Sequence, residues 1–329
     1  AVKWLTMQYD TLSGKVTNLG HNDGTLLLPF GCRDYGDYRP TLQAASLAFT
    51  GKPVLPFGSW DDLSNLLGLA AITKISQSKF LAPSPLRIGN ETLWASLRAV
   101  HFNERPGHAD QLHTEIWWDG INIACDAGTY AYNKPAPWQN ALMATRVHNT
   151  ITIDQKDQML RAGKFLWLKK AQAAYISRHN EPTLSASHDG YKSLGVRHSR
   201  TVQQPGDFEI NVTDEVSILN PTQEHLVSIH WLLPDWHWKW DDDLFTIQLD
   251  DRSIDLRIFC KSSENSLLPI DHISLVRAGV TLLGNNQDDI LGWISPTYNL
   301  KTPALSLTLS WIVNRSVEIT SHWQFRKDK

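Results

Sequence analysis

From Leu93 onward, apolar residues fall at every second position. Leu93-Ala95-Leu97-Ala99, Leu112-Thr114-Ile116-Trp118, Thr150-Thr152, Phe208-Ile210-Val212, Val227-Ile229-Trp231, Phe245-Ile247-Leu249, Ile254-Leu256-Ile258 and Leu305-Leu307-Leu309-Trp311 all follow this rule. Side chains on a strand point to opposite faces in turn, so a period of two is what a half-buried strand requires. Turn-forming residues at Asp119-Gly120, Asp189-Gly190 and Pro205-Gly206-Asp207 separate the runs. The pattern continues to the C-terminus with no long helical stretch. It predicts a mainly β region of two stacked antiparallel sheets, a large sandwich, in preference to a small barrel.

The first part of the chain reads differently. Pro40 sits where the first turn of a helix tolerates it, the apolar residues Leu42, Ala45, Leu47, Ala48 and Phe49 follow, and Gly51 and Pro53 supply the stop. The stretch from Trp60-Asp61-Asp62-Leu63 to Leu69 has the acidic first turn of a second short helix. Pro83 and Pro85 mark a linker. The expected division is therefore residues 1–82, the last helices of a helical domain whose beginning is absent, and residues 83–329, the sandwich. The chain starts at Ala1 without an initiating Met, which fits a mature form or a piece of something longer.

Composition narrows the function classes. Of 329 residues, 42% are hydrophobic and 20% charged, the balance of a folded globule. A formal charge of -3 leaves no global basic field for nucleic acid or an anionic membrane. The runs Lys169-Lys170 and Arg326-Lys327 are too short to change that. No apolar run has the ~20 residues needed to span a bilayer as a helix. Cys32, Cys125 and Cys260 are far apart and imply neither a disulfide framework nor a thiolate zinc site, so they read as buried small hydrophobes. The 14 Trp and 13 His are the unusual counts, and they direct the search towards sugar platforms, ligands and proton carriers.

The densest polar stretch runs from Glu104 to Glu115 and enters a strand. Alternation places His108, Asp110, Leu112 and Thr114 on one face and Gln111, His113 and Glu115 on the other. A hairpin turning at Asp119-Gly120 returns the chain to Asp126, near His108, and His148 stands at the lip of a third strand. Two imidazoles and a carboxylate on neighbouring strand ends suit a three-ligand zinc site, or one for another divalent ion. Alternation alone more readily reads the two histidines as hydrogen-bonded sheet residues and Asp126 as a turn cap. Trp236, Trp238 and Trp240 share a face, as a carbohydrate platform or, more commonly, as core. Asp241-Asp242-Asp243 lacks the further oxygens of a calcium loop, and no Gly-x-Ser-x-Gly elbow supports a hydrolase.

Three segments, in order, carry a resemblance: Gly107-His108-Ala109-Asp110-Gln111-Leu112-His113, then Asp126-Ala127-Gly128-Thr129-Tyr130-Ala131-Tyr132-Asn133, then Val147-His148-Asn149-Thr150-Ile151-Thr152-Ile153-Asp154 with Asp157-Gln158. Together they are similar to the heparinase II/III-like polysaccharide lyases. Asn22-Asp23-Gly24 and Asp37-Tyr38-Arg39-Pro40 resemble the end of that family's α/α toroid. His188-Asp189-Gly190-Tyr191 with His198, and Gly292-Trp293 with Tyr298, are similar too. The resemblance implies a supersandwich-like C-terminal β domain after a few toroid helices, with the rest of the toroid missing from this chain. It also implies zinc at His108, Asp126 and His148, an acidic polysaccharide as partner, and, more weakly, a bacterial cell-envelope location.

Two departures qualify the implied activity. The family's lyases carry a further His two residues before the metal-binding one, where this chain has Pro106. Their Asn and Tyr, which neutralise the uronate carboxylate and exchange protons, lie upstream of this sequence. β-Elimination needs charge stabilisation on the uronate together with a base and an acid. From this chain Arg33, Arg39, Arg105 and Arg146 are the candidates to meet anionic groups, with Tyr132 beside them, and Tyr130, Tyr132, His101 and His113 are the candidate proton carriers, Tyr130 and His113 first. The expectation is the C-terminal region of a lyase acting on a uronic-acid-containing polysaccharide. The alternative is a non-catalytic carbohydrate-binding or structural sandwich in polysaccharide assembly, and a metal-dependent hydrolase is a distant third.

Overall fold

The structure is a computed structural model that describes residues 1–18, 20–25, 33–70, 86–176, 182–285 and 288–327. Three helices open the chain among these: Val2–Gln8, Arg39–Thr50 and Asp62–Leu66, the last preceded by a 3-10 turn at Ser59–Asp61. The predicted helix at Pro40 is present with its predicted stop. Gly51 takes the left-handed conformation at φ 69°, and its N–H reaches the Leu47 carbonyl, a geometry that glycine adopts without a Cβ penalty. Its buried face differs from the expectation. Leu42, Gln43, Ala44, Ser46 and Leu47 are buried, whereas Ala48 is exposed and Phe49 is 83% exposed, because the covered stripe ends a turn before the helix does. Gln43 joins this helix to the segment between it and the third helix: Oε1 accepts from the Val54 and Leu55 N–H groups, and Nε2 donates to Asp61 Oδ1. The expected boundary at 82–83, Pro83, Pro85 and Cys32 lie outside the described residues.

The remainder is antiparallel sheet. β1 (Leu86–Gly89), β2 (Leu93–Leu97), β3 (Thr114–Trp118) and β4 (Ile121–Ala124) form a four-stranded sheet. Its β3–β4 turn is Asp119-Gly120 at φ 49° and 77°, the pair of positive values a tight hairpin demands. A nine-stranded sheet contains Val196–Gly206, Glu209–Ile218, Arg252–Ser262 and Val317–Lys327; a six-stranded sheet contains β5 (Ile151–Ile153), His225–Pro234, His272–Arg277 and Leu300–Val313. Their inner faces meet at tryptophans. Trp231 of the smaller sheet donates its indole N–H to Ser321 of the larger at 3.0 Å and packs edge-on against Trp323 at 4.9 Å. All of Trp231, Trp311 and Trp323 are fully buried, so these indoles serve as core. Trp236, Trp238 and Trp240 are partly buried against the same core, and Trp238 stacks on Phe245, which favours the packing reading of that stripe. Cys125 and Cys260 are buried free thiols, as expected.

Alternation overreached at strand ends. Leu112 has φ 59° and precedes β3, Thr150 precedes β5, and Phe208 sits at a turn with 49% exposure. The mainly β sandwich is therefore as predicted, with an added four-stranded sheet, and the segments between strands at one end carry the candidate chemistry. Among the described residues no helix is long and apolar enough to cross a membrane.

Candidate functional site

Three connections deliver the three candidate ligands. His108 lies on the long loop between β2 and β3, Asp126 follows β4, and His148 follows a 3-10 turn at Thr145–Val147 just before β5. The β2–β3 loop is not a strand, and side-chain hydrogen bonds take the place of a ladder. Gln111 donates to the carbonyls of Val100 and Ala171, and its own N–H is received by Gln158 Oε1 at 2.8 Å. Asp157 accepts from the Thr145 N–H at 2.7 Å, and the Thr145 hydroxyl donates to the Ala109 carbonyl. Asn149, fully buried, donates to the carbonyls of Thr114 and Cys125 and accepts from the Leu232 N–H. One amide thus ties β3, β4 and the strand His225–Pro234 together directly beside His148. Buried polar groups are costly unless paired, which explains why so polar a stretch sits inside the fold.

One potential ligand atom from each of His108, Asp126 and His148 lies within 4.8 Å of the other two. His148 Nδ1 donates to the Ala144 carbonyl at 2.8 Å, so its Nε2 lone pair faces the cluster. There it meets His108 Nδ1 at 3.2 Å and Asp126 Oδ2 at 3.6 Å. The other Asp126 oxygen is already held by Asn18 Nδ2 at 2.6 Å and the Gly128 N–H at 2.7 Å. Burial, with His148 adding, pushes the His108 imidazole well below its ordinary range, keeping it neutral, and burial raises the Asp126 carboxyl. His108 Nε2 is buried without a hydrogen-bond partner.

His113 joins this cluster from behind. Its Nδ1 accepts the Asn149 N–H at 3.0 Å, which leaves the proton of the neutral ring on Nε2, 3.4 Å from Asp126 Oδ2. The geometry orients Asp126 and keeps His113, only 4% exposed, away from solvent. The other sequence candidates scatter. Tyr130 packs edge-on against Trp138 at 5.1 Å and donates its N–H to the Ser295 hydroxyl. Tyr132 lies on the cluster side, against His21, Phe165 and Tyr298. Exposed Arg105 sits over the Phe165 ring and acts electrostatically on His21, so it shares that rim. Arg39 is spent on a bidentate pair with Asp37, Arg146 on Asp288 at 2.8 Å, and Arg33 on Ser59 and Asp37. His101 is exposed.

A cleft of about 600 Å³ opens beside the cluster, lined among others by Asn18, His21, Tyr35, Glu115, Asp126 and Ser295. Sequence reasoning missed Asn18 and His21. His21 immediately precedes the Asn22-Asp23-Gly24 segment and packs edge-on against His108 at 5.3 Å. Glu115 accepts from the Asn18 N–H, Asn122 Nδ2 and Trp117 Nε1, yet burial, with the Asp126 charge adding, pushes its carboxyl up to about 8. A carboxyl raised in the folded state keeps its proton after the unfolded chain has released it. Its stabilising contribution is full below 4.5 and is lost as pH rises towards about 8. In chelator-treated protein, Glu115→Gln is therefore expected to gain melting temperature relative to wild type progressively from about pH 5 to pH 8. A difference that stays constant over this window in thermal melts would contradict it.

A second buried network braces the same strand ends. The Gly190 N–H is received by His188 Nδ1, His188 Nε2 meets His198 Nδ1 at 3.0 Å, and His198 Nε2 meets Asp214 at 2.6 Å. One neutral tautomer of each ring satisfies this whole series. Arg200 grips Asp214 in bidentate fashion at 2.7 and 2.9 Å, and its remaining nitrogen donates to the carbonyls of Leu112 and Asn149. Burial alone would raise Asp214, but Arg200 and His198 outweigh it and hold the carboxyl below its usual range.

By sequence alone no curated protein matches the chain. Among solved structures it is similar to a heparinase III with methylated lysines, at 16% identity and a TM-score of 0.65, covering 98% of this chain and 45% of that one. It is also similar to the heparan sulfate lyase HepC of Pedobacter heparinus, at 15% identity and a TM-score of 0.60, covering 96% of this chain and 45% of that one. A further heparinase III gives 11% identity and a TM-score of 0.60, over 99% and 47%. At such identities the likeness shows the fold, and the chain spans about half the length of these relatives. The heparinase II/III-like C-terminal profile matches residues 93–321, and the chain therefore belongs to the heparinase II/III-like family through that C-terminal domain.

Proposed function

We propose that this chain forms the metal-bearing wall of a lyase that cleaves a uronic-acid-containing polysaccharide by β-elimination. The observation that carries the reading is the convergence of His108, Asp126 and His148 beside a cleft that Asp126 lines. Two imidazoles and a carboxylate with one committed oxygen fit zinc or a similar divalent ion. The His148 tautomer, fixed by the Ala144 carbonyl, and the His113 contact to Asp126 are the orienting partners such a site uses. When bound, the ion supplies positive charge and rigidity at the cleft wall.

The chain's own residues support binding more than turnover. Arg105 and Tyr132 stand at the rim beside His21, where an acidic sugar meets a cation and an aromatic edge. Pro106 is buried where the related lyases carry an imidazole, Tyr130 packs against Trp138, and His113 is buried. Groups that act as a unit lose nearly all rate when one is removed. Residues 1–329 are accordingly expected to retain acidic polysaccharide while producing little or no unsaturated uronate. The test combines equilibrium binding with ultraviolet absorbance of product, using heparan sulfate, hyaluronan, alginate and an unsulfated bacterial polysaccharide. Failure to bind any of them would contradict the reading, and robust product formation would show that a complete acid and base set exists within this chain.

A further inference from the structure

A lysine without a carboxylate partner among the described residues sits inside an aromatic cage whose neighbours Ser295 and Gly128 line the cleft. Lys301 Nζ lies 3.6 Å from the ring centroid of Trp138, 3.6 Å from that of Trp293 and 5.4 Å from that of Tyr130. The two indoles stand nearly perpendicular, at 82° and 6.1 Å, and Tyr130 meets Trp138 at 79°. Among the described residues no carboxylate comes within ion-pair distance of Lys301; Asp289 acts on it only at longer range, and Asp288 is paired with Arg146. Aromatic rings attract a cation through their quadrupole but carry no net charge. The ammonium is thus held in place without being neutralised. The Trp293 indole N–H is committed to the Asp289 carbonyl, whereas the Trp138 indole N–H and the Tyr130 hydroxyl have no hydrogen-bond partner among the described residues.

The cage is built into the wall that carries the candidate ligands. Gly128 bridges Ser295, the Ser295 hydroxyl accepts the Tyr130 N–H at 2.9 Å, and the Tyr130 carbonyl accepts from Asn299. Ser295 and Gly128 both line the cleft, and Trp293 lies on the same short strand, Trp293–Thr297. Asp126 and Tyr130 are four residues apart in sequence, and that length of chain spans at most about 14 Å. A fixed, un-neutralised cation framed by aromatic rings matches a sugar with an anionic substituent, the anion meeting the ammonium and the sugar packing against the surrounding aromatic side chains.

We infer that Lys301, Trp138, Trp293 and Tyr130 form a subsite for a uronate unit of the polysaccharide, a short distance along the chain from the unit that lies at Asp126. The inference rests on the functional reading above, and the test separates the two. The full chain is titrated with a hexasaccharide alternating glucuronate and N-acetylglucosamine, and with a chitin hexasaccharide as the neutral control, following tryptophan fluorescence and calorimetry. Wild type is expected to prefer the acidic ligand, Lys301→Met to weaken its binding about tenfold, and Lys301→Arg to retain most of it. Trp138→Phe should weaken binding and reduce the fluorescence change. Near-ultraviolet circular dichroism checks that each variant is folded, and the Arg variant supplies the comparison if the Met variant is not. Undiminished binding by Lys301→Met, or loss in Lys301→Arg equal to that in Lys301→Met, overturns the subsite while leaving the functional reading intact. No acidic hexasaccharide binding by wild type overturns both.

Discussion

Replacing Arg200 by methionine is expected to destabilise the protein by about 3–5 kcal/mol, the cost typical of removing one partner from a buried ion pair. Asp214 is wholly buried, and without the guanidinium its charge keeps only His198. The loss reaches further than the pair, because the same guanidinium holds the carbonyls of Leu112 and Asn149, and those residues flank His113 and His148. Leu112 is strained at φ 59°, so releasing its carbonyl frees the loop that carries His108. The penalty should shrink as pH falls, since protonating Asp214 or His198 removes the uncompensated charge. Urea denaturation at neutral and acidic pH measures both parts. A loss below about 1 kcal/mol, the worth of an exposed pair, would show that the network is not the brace described.

His148→Ala should abolish metal retention and lower the melting temperature, and chelator should bring wild type down towards the variant. An ion that binds only the folded state stabilises it by mass action, about 4 kcal/mol when its concentration is a thousandfold above Kd. The ion would pin the β2–β3 loop, the end of β4 and the turn before β5 to one another, adding to the hydrogen bonds and apolar packing they already share. The variant also loses the Nδ1 donor to Ala144. Calorimetric melts with and without chelator give the answer. A wild type insensitive to chelator after metal loading would mean that the site contributes nothing to stability.

Local rules made part of this structure legible. The helix Arg39–Thr50 was readable because Pro40 and Gly51 act within one turn of chain, and the strands because burial on one face imposes a period of two. The rule failed from Gly107 to His113, where the side chains of Gln158, Thr145 and Thr150 satisfy the backbone in place of a neighbouring strand. Alternation consequently grouped His108 with Leu112 and Thr114 on a face that does not exist. Asn18 and His21 were invisible because their partners are distant in sequence: Asn18 meets Asp126 across 108 positions. The Arg200 network does leave a signal in the sequence. Val196, His198, Arg200 and Val202 alternate, as do Val212, Asp214 and Val216, so charged residues occupy positions that the surrounding valines mark as inward. Two opposite charges placed inward on adjacent strands imply a buried pair, and Arg200 and Asp214 are direct partners in the ladder.

The most direct test is a crystal structure of protein purified without chelator, with anomalous data collected across the zinc edge and elemental analysis of the same sample. One ion per chain is expected, bonded at about 2.0–2.2 Å to the imidazoles of His108 and His148 and to Asp126 Oδ2, with His113 behind the carboxylate. Absence of stoichiometric metal, or an ion bound elsewhere with these three side chains apart, would contradict the account.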